Sequence, residues 1–254
     1  MADPGVTEAC ACHSRLGIER VAVSDDVLAK LKTVSIPTIS QILRRRGFGN
    51  AFLSGVAPRT LLQSLVGRAF TARALPTRQD VAATQAGGAS LHRRAFETIR
   101  PGDVLVIDAR GDVGARVTGD ILATRLKYRG AAGLVTDGAI GDLAAMQAVG
   151  LPVYSRGLTP VSFGELHVMA DLNVPIACAG VLVMPGDILV ADPEGVMAIP
   201  QAIAAEVAEA GLEAERKDAF SRGKVEAGHA LAEAYPLNEK LQAEYEVTKA
   251  RSRT

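Results

Sequence analysis

Two aspartates stand five positions apart in TDGAIGD, residues 136–142, directly after a short apolar run. A carboxylate beyond the end of a buried strand, with room for waters and a substrate oxygen, is a natural seat for Mg²⁺. Asp142 suits that role. It also suits the N-cap of the helix expected over LAAMQAVG, and the two roles are compatible because a capping carboxylate keeps a second oxygen. Asp137-Gly138 reads as a turn signature. Earlier in the chain, Gly119, Asp120, Ile121 and Leu122 open a predicted helix. The first N–H groups of a helix lack intrahelical partners and can hold an anion such as a carboxylate. Among the four histidines, His13, His92, His167 and His229, His167 in SFGELHVMADL can approach a site as acid or base, although packing is its simpler role. Cys10, Cys12 and His13 lie close together, but their spacing fits none of the common zinc patterns. There is no Gly-x-Gly-x-x-Gly after a strand, P-loop, His-Glu-x-x-His or Gly-x-Ser-x-Gly elbow.

The elements that position these residues follow from pattern and punctuation. Ser24 is a plausible N-cap for a helix over SDDVLAKLKTV, and TISQILRRRGF reads as a second helix closed by Gly47. LVGRAFTARAL (65–75) is a strand, and ATQAGGASLHRRAFETI (83–99) has helical spacing interrupted by Gly87 and Gly88. PGDVLVIDARGD (101–112) and PGDILVADPEGV (185–196) repeat one unit: a Pro-Gly turn, an apolar run and a terminal acid, Asp108 or Asp192. Such a unit is expected to be sheet structure rather than a pair of sites. TGDILATRLKYRG is a helix, AAGLVTD a strand, DLAAMQAVG a short helix and LPVYSRG another strand. Further strands lie near VPIAC, VLV, DILVAD and GVMAIP. The tail from Gln201 to about Ser252 is helical, with breaks expected at Gly211, Gly223, Gly228 and Pro236. Alternating strands and helices followed by clustered strands give an α/β class with a mixed sheet.

Composition excludes several functions. The 254 residues include 28 basic and 28 acidic side chains, so no basic excess points to nucleic acid or a membrane surface. Aromatic residues make up 4%, with no Trp, which argues against base-stacking platforms. The longest apolar run, residues 174–184, contains Pro175 and Gly180 and is too short to span a bilayer. Three cysteines suit a reducing compartment, and no apolar leader is evident. The expectation is a cytoplasmic protein with residues 1–20 as a flexible tail, 21–205 as the core and 206–254 as a helical extension.

The segments GDILATRLKYRGAAGLVTDGAIGD, LPVYSRG and VLVMPGDILVADPEGVMAIP resemble the signature segments of one family. It holds the 4-hydroxy-4-methyl-2-oxoglutarate/4-carboxy-4-hydroxy-2-oxoadipate aldolases and the regulator of ribonuclease activity A. The resemblance runs from about Ser35 to Ala205. It implies a swivelling β/β/α core of the RraA-like type with N- and C-terminal helical additions, assembled as a homotrimer or homohexamer with sites at subunit interfaces. It also implies a divalent cation, Mg²⁺ or Mn²⁺, held by Asp142, with Gly119, Asp120, Ile121 and Leu122 binding a 2-oxo acid and Asp120 near the metal's waters. A cation facing helix amides would stabilise a pyruvate enolate, the charge shared by retro-aldol cleavage and oxaloacetate decarboxylation. The implied function is a metal-dependent lyase.

One position departs from the family. Its aldolases carry a substrate-binding arginine immediately before the metal aspartate; here that residue is Gly141. Three consequences are open. Another arginine, such as Arg116, Arg125 or Arg156, could reach the site; the lyase could act on a different acid; or the chain could be a non-catalytic binding protein like the ribonuclease regulators.

Overall fold

The structure, a computed structural model, describes residues 21–60, 64–84 and 90–251. The expected tail at 1–20, with Cys10, Cys12 and His13, lies outside them. Two helices lead in: α1 (Asp25–Leu31) and α2 (Ile36–Arg45). The Ser24 hydroxyl accepts the Val27 N–H at 3.4 Å, and Gly47 follows α2 with φ of 86°, the left-handed residue that commonly ends a helix. The strands and crossovers follow: β1 (Ala57–Pro58), β2 (Leu65–Pro76), α3 (Gln79–Thr84), α4 (Leu91–Thr98), β3 (Asp103–Asp108), α5 (Asp120–Tyr128), β4 (Gly133–Ile140), α6 (Leu143–Val149), β5 (Val153–Leu158) and α7 (Phe163–Leu166). The chain continues through β6 (His167–Leu172), β7 (Ile176–Cys178), β8 (Val181–Val183), β9 (Ile188–Asp192) and β10 (Gly195–Ile199). It ends in α8 (Ala204–Glu226), α9 (Leu231–Ala234) and α10 (Glu239–Arg251).

The main sheet has eight strands in the order β1-β5-β4-β3-β2-β9-β10, with β6 also on β2. Strands β2 to β5 are parallel neighbours, which requires crossover connections carrying helices. The twelve-residue β2 is the spine: β3 lies along one side, while β9 pairs with its first residues and β6 with its last on the other. The sheet thereby curls into a nearly closed barrel. The class is α/β, as the alternation of elements implies.

The two Pro-Gly-Asp units flank β2 as β3 and β9. In each, the glycine has positive φ, 79° at Gly102 and 91° at Gly186. Asp108 accepts the N–H of Arg110 at 2.8 Å and Asp192 that of Glu194 at 2.8 Å. Each acid then reaches a distant backbone: Asp108 the Ala177 N–H, Asp192 the Ile36 N–H, both at 3.3 Å. Both acids tie strand ends to neighbouring segments.

One face of the sheet packs Leu105, Ile107, Leu134 and Val153 against Phe96 of α4, Leu126 of α5 and Met146 of α6. The opposite face is covered by the β7–β8 hairpin through Ile176, Val181 and Val183. A third cluster joins α1, α2 and α8 to β9 and β10. Burying each such side chain stabilises the fold by about 1.5–3 kcal/mol.

Two expectations change. Within 83–99 the described helix is α4, α3 ends at Thr84, and residues 85–89 fall outside the description. The tail breaks at Gly228 and Pro236 only, because α8 runs unbroken through Gly211 and Gly223. Gly211 is there for packing: a Cβ on it would stand 2.7 Å from Val34 Cγ1.

Candidate active site

The last residues of β4 are held on both sides. On one side Arg116 bridges Ala139, the Val117 N–H donates to Ala139 O at 2.8 Å, and the Gly141 N–H donates to Thr118 O at 3.0 Å. On the other, Ala139 pairs with Gly157 and Ile140 with Leu158, and the Thr159 N–H donates to Ile140 O at 3.0 Å. This grip fixes the point at which the chain leaves the sheet at Asp142.

Asp142 precedes α6 in the N-cap position, yet its side chain makes no capping bond. Its φ is 53° and ψ 39°, a left-handed conformation that costs an L residue roughly 1–2 kcal/mol. Aspartate tolerates it better than most. No hydrogen bond or ion pair among the described residues engages its carboxylate, and the residue is exposed. The capping role is therefore absent, and the carboxylate turns toward α5. A Cβ added to Gly119 would overlap Asp142 Oδ2. Gly119 itself is extended, with φ of −137° and ψ of −170°, so it is glycine for space rather than for conformation.

Gly119 is the N-cap of α5, and the Ala123 N–H is the first to close the helix, on Gly119 O at 3.0 Å. The amides of Asp120, Ile121 and Leu122 thus remain outside the helical ladder, at the end of α5 that meets Asp142. Asp120 is half-buried and Ile121 is 79% exposed.

Asp137 is a different kind of acid. It lies inside β4, not in a turn, and is 2% exposed. Its carboxylate accepts the N–H groups of Ala109 at 2.7 Å, Gly111 at 2.9 Å and Ala179 at 3.0 Å. Burial raises its pKa, opposed by those amides. The ladder to β5 skips between Thr136 and Ala139, so the Asp-Gly pair forms a bulge rather than a reversal. The pattern looked like a turn because a bulge and a turn draw on the same residue types.

Of the three candidate arginines, the structure brings one to this place. Arg125 is paired with Glu97, and Arg156 lies over Gly111 and Gly55 and donates to Ser54 O at 3.1 Å. Arg116 lies directly against Gly141: a Cβ there would overlap Arg116 Cδ and stand 3.3 Å from Thr159 O. A cavity of about 300 Å³ opens between them, lined by Arg116, Gly141 and Asp142 with Leu143, Leu158 and Thr159.

His167 does not enter this cavity. It is 2% exposed, and among the described residues neither ring nitrogen lies within hydrogen-bond distance and geometry of a partner. It tilts against Phe163, which stacks on His92 at 4.0 Å between ring centroids. Burial lowers the pKa of both histidines.

The sequence model of the RraA-like family, described as Aldolase/RraA, matches residues 23–198. The chain belongs to the RraA-like family. A relative from Halalkalibacterium halodurans, named "Putative 4-hydroxy-4-methyl-2-oxoglutarate aldolase", is 42% identical over 108 residues, covering 42% of this chain and 51% of that protein. The matched stretch thus spans about half that relative's length. The chain is also similar to the solved structure of Streptomyces coelicolor RraAS2, described as an unusual member of the RNase ES inhibitor RraA protein family. That likeness has 31% identity and a TM-score of 0.72, covering 80% of this chain and 99% of the other. An uncharacterised protein from Pseudomonas syringae is similar at 25% identity and a TM-score of 0.77, covering 86% and 96%. RraA-like members thus carry both aldolase and ribonuclease-inhibitor names.

Proposed function

We propose that the protein is a divalent-metal-dependent lyase that cleaves a C–C bond of a 2-oxo acid, by retro-aldol cleavage of a 4-hydroxy-2-oxo acid or by decarboxylation of oxaloacetate. The aldolase-named relatives support the lyase class. The observation that carries the reading is Asp142, a strained, exposed carboxylate without a partner among the described residues, facing the free end of α5.

The donor chemistry fits a hydrated cation. Among the described residues no three His, Cys, Asp or Glu side chains converge, so a protein cage for Zn²⁺ is absent there. Mg²⁺ is commonly held by one or two carboxylates with waters completing the shell, and Asp142 with Asp120 nearby in α5 meets that demand. Mg²⁺ or Mn²⁺ supplies a Lewis-acid charge for the 2-oxo acid's oxygens. The chain's own contribution is the N-terminus of α5: the amides of Asp120, Ile121 and Leu122 orient the acid. Their partial positive charge opposes the negative charge that grows on the substrate as the bond breaks. Leu143 and Leu158 give one wall of the cavity an apolar surface.

The reading includes a homo-oligomer, a trimer or a pair of trimers. Ile121 and Tyr128 along α5, with Leu158 and Val113, are 79%, 80%, 48% and 41% exposed, an apolar surface that a second copy would cover.

The test is pyruvate release from oxaloacetate and from 4-hydroxy-4-methyl-2-oxoglutarate, with Mg²⁺, Mn²⁺ or chelator present. Release that depends on the cation and disappears in Asp142→Ala, with the fold intact, is the expected result. Cation-independent release, or full activity in Asp142→Ala, overturns the metal assignment. The inhibitor-named relative from S. coelicolor supports a second reading, a binding protein without turnover; failure to release pyruvate from either acid favours it.

A further inference from the structure

We propose that Arg116 is the anion-binding cation of this site and that Gly141 is its counterpart, a residue without a side chain because Arg116 occupies the space one would need. The proposal deepens the lyase reading and rests on it for the class of ligand, a small carboxylic acid.

Four observations converge. The root of Arg116 is fixed by backbone bonds on both sides: its own N–H donates to Val161 O at 2.9 Å, and it bridges Ala139. Its side chain then runs across Gly141, where a Cβ would overlap Arg116 Cδ and lie 3.2 Å from Nε. Positions 116 and 141 therefore compete for one volume. The same Nε stands 4.0 Å from a Cβ built on Gly119, which places the guanidinium root beside both the N-terminus of α5 and the Asp142 carboxylate. Finally, Arg116 donates Nη1 to Pro160 O, but no carboxylate among the described residues lies within ion-pair distance of it. Arg73, Arg110 and Arg125 in the same half of the chain are paired with Asp171, Asp112 and Glu97.

A guanidinium and a carboxylate that form no ion pair among the described residues, on one cavity of about 300 Å³, leave room for a ligand between them. Two ends are then distinguished. Cation-held oxygens belong at Asp142, and a second oxyanion belongs at Arg116, whose planar fork suits a carboxylate. The volume and the two leucine walls favour an acid of a few carbons carrying two oxyanion groups.

The experiment measures oxalate binding by titration calorimetry, with and without Mn²⁺, and Mn²⁺ binding alone by the paramagnetic signal of the free ion. It uses the wild type, Arg116→Gln, Gly141→Arg and the double variant Arg116→Gly/Gly141→Arg. Gln keeps part of the stem that packs on Gly141, and circular dichroism reports whether each variant is folded. Expected is a loss of about 10- to 100-fold in oxalate affinity for Arg116→Gln, the loss of one charge-assisted pair, with Mn²⁺ affinity within about twofold of wild type. Gly141→Arg alone also weakens oxalate binding, because two side chains contend for one volume, and the double variant recovers most of it. Oxalate binding by Arg116→Gln equal to wild type overturns the proposal while leaving the lyase reading in place. Mn²⁺ binding without oxalate binding in the wild type does the same. Absence of Mn²⁺ binding removes the lyase reading, and the metal-free titration then still decides Arg116 by the same comparison.

Discussion

At the residue scale the proposed site depends on absent side chains as much as on present ones. Gly119 and Gly141 clear the approaches to Asp142 and Arg116, and a methyl group at either would meet an atom already there. Gly119→Ala is expected to push Asp142 Oδ2 out of position and weaken Mn²⁺ binding by about tenfold or more, since a carboxylate ligand held off its position loses much of its contribution. The melting temperature should change little, because Gly119 adopts an extended conformation open to any residue; unchanged Mn²⁺ affinity would show that the two groups do not share a site. His167 gives a prediction in pH. Burial lowers its pKa, as it does for His92, so the unfolded chain takes up protons before the native one as pH falls. Stability from both rings is fully present above the unfolded histidine pKa of about 6.5 and is lost as pH falls toward their lower folded values. His167→Leu should flatten the decline in melting temperature between about pH 7 and 5. An unchanged slope would assign the acid sensitivity to other groups.

At the element scale, β4 and α8 show how one residue type serves unlike ends. Asp137 in β4 holds three amides from three points of the loops above the sheet. Asp137→Ala leaves those buried donors unsatisfied and should cost about 3 kcal/mol or more in denaturant unfolding; a cost below about 1 kcal/mol would mean that water replaces the carboxylate. The glycines of α8 make an internal control. Among the described residues nothing beyond its own helix lies within 4 Å of a Cβ added to Gly223, whereas Gly211 faces Val34 at 2.7 Å. Gly223→Ala should stabilise by about 0.5–1 kcal/mol through helix propensity. Gly211→Ala gains the same propensity but forces Val34 aside at about 1–3 kcal/mol, so its net effect should be destabilising. Equal shifts in the two variants would show that the α8 contact with the α1–α2 corner is loose.

At the scale of the whole molecule, β4 ends where α5 begins, and exposed apolar side chains lie there and along α5: Leu158, Ile121 and Tyr128. Ile121 and Tyr128 are seven residues apart on α5 and share a face. In the proposed oligomer that face is covered, so Ile121→Asp should shift the protein to a smaller species in light scattering. If the wild type is monomeric, or Ile121→Asp leaves its mass unchanged, this surface is not the contact. Among the described residues no helix is long and apolar enough to cross a membrane.

The sequence by itself determined the periodic features: the α/β alternation, β2 and the paired Pro-Gly-Asp strands, the Ser24 cap and the opening of α5. Each is a local preference repeated over several residues, and neighbours in the chain suffice to express it. Asp142 and the segment 119–122 entered the proposed site through family resemblance. Tertiary structure alone decided the rest. Asp-Gly at 137–138 is a buried bulge because three distant amides converge on it. Gly211 continues a helix because Val34 needs the room. Arg116, 25 positions before Gly141 in the chain, occupies the volume that residue 141 vacates only because the end of β4 is gripped between residues 116–118 and 157–159. Competition for a volume is a property of packed neighbours, and the order of residues along a chain does not encode it locally.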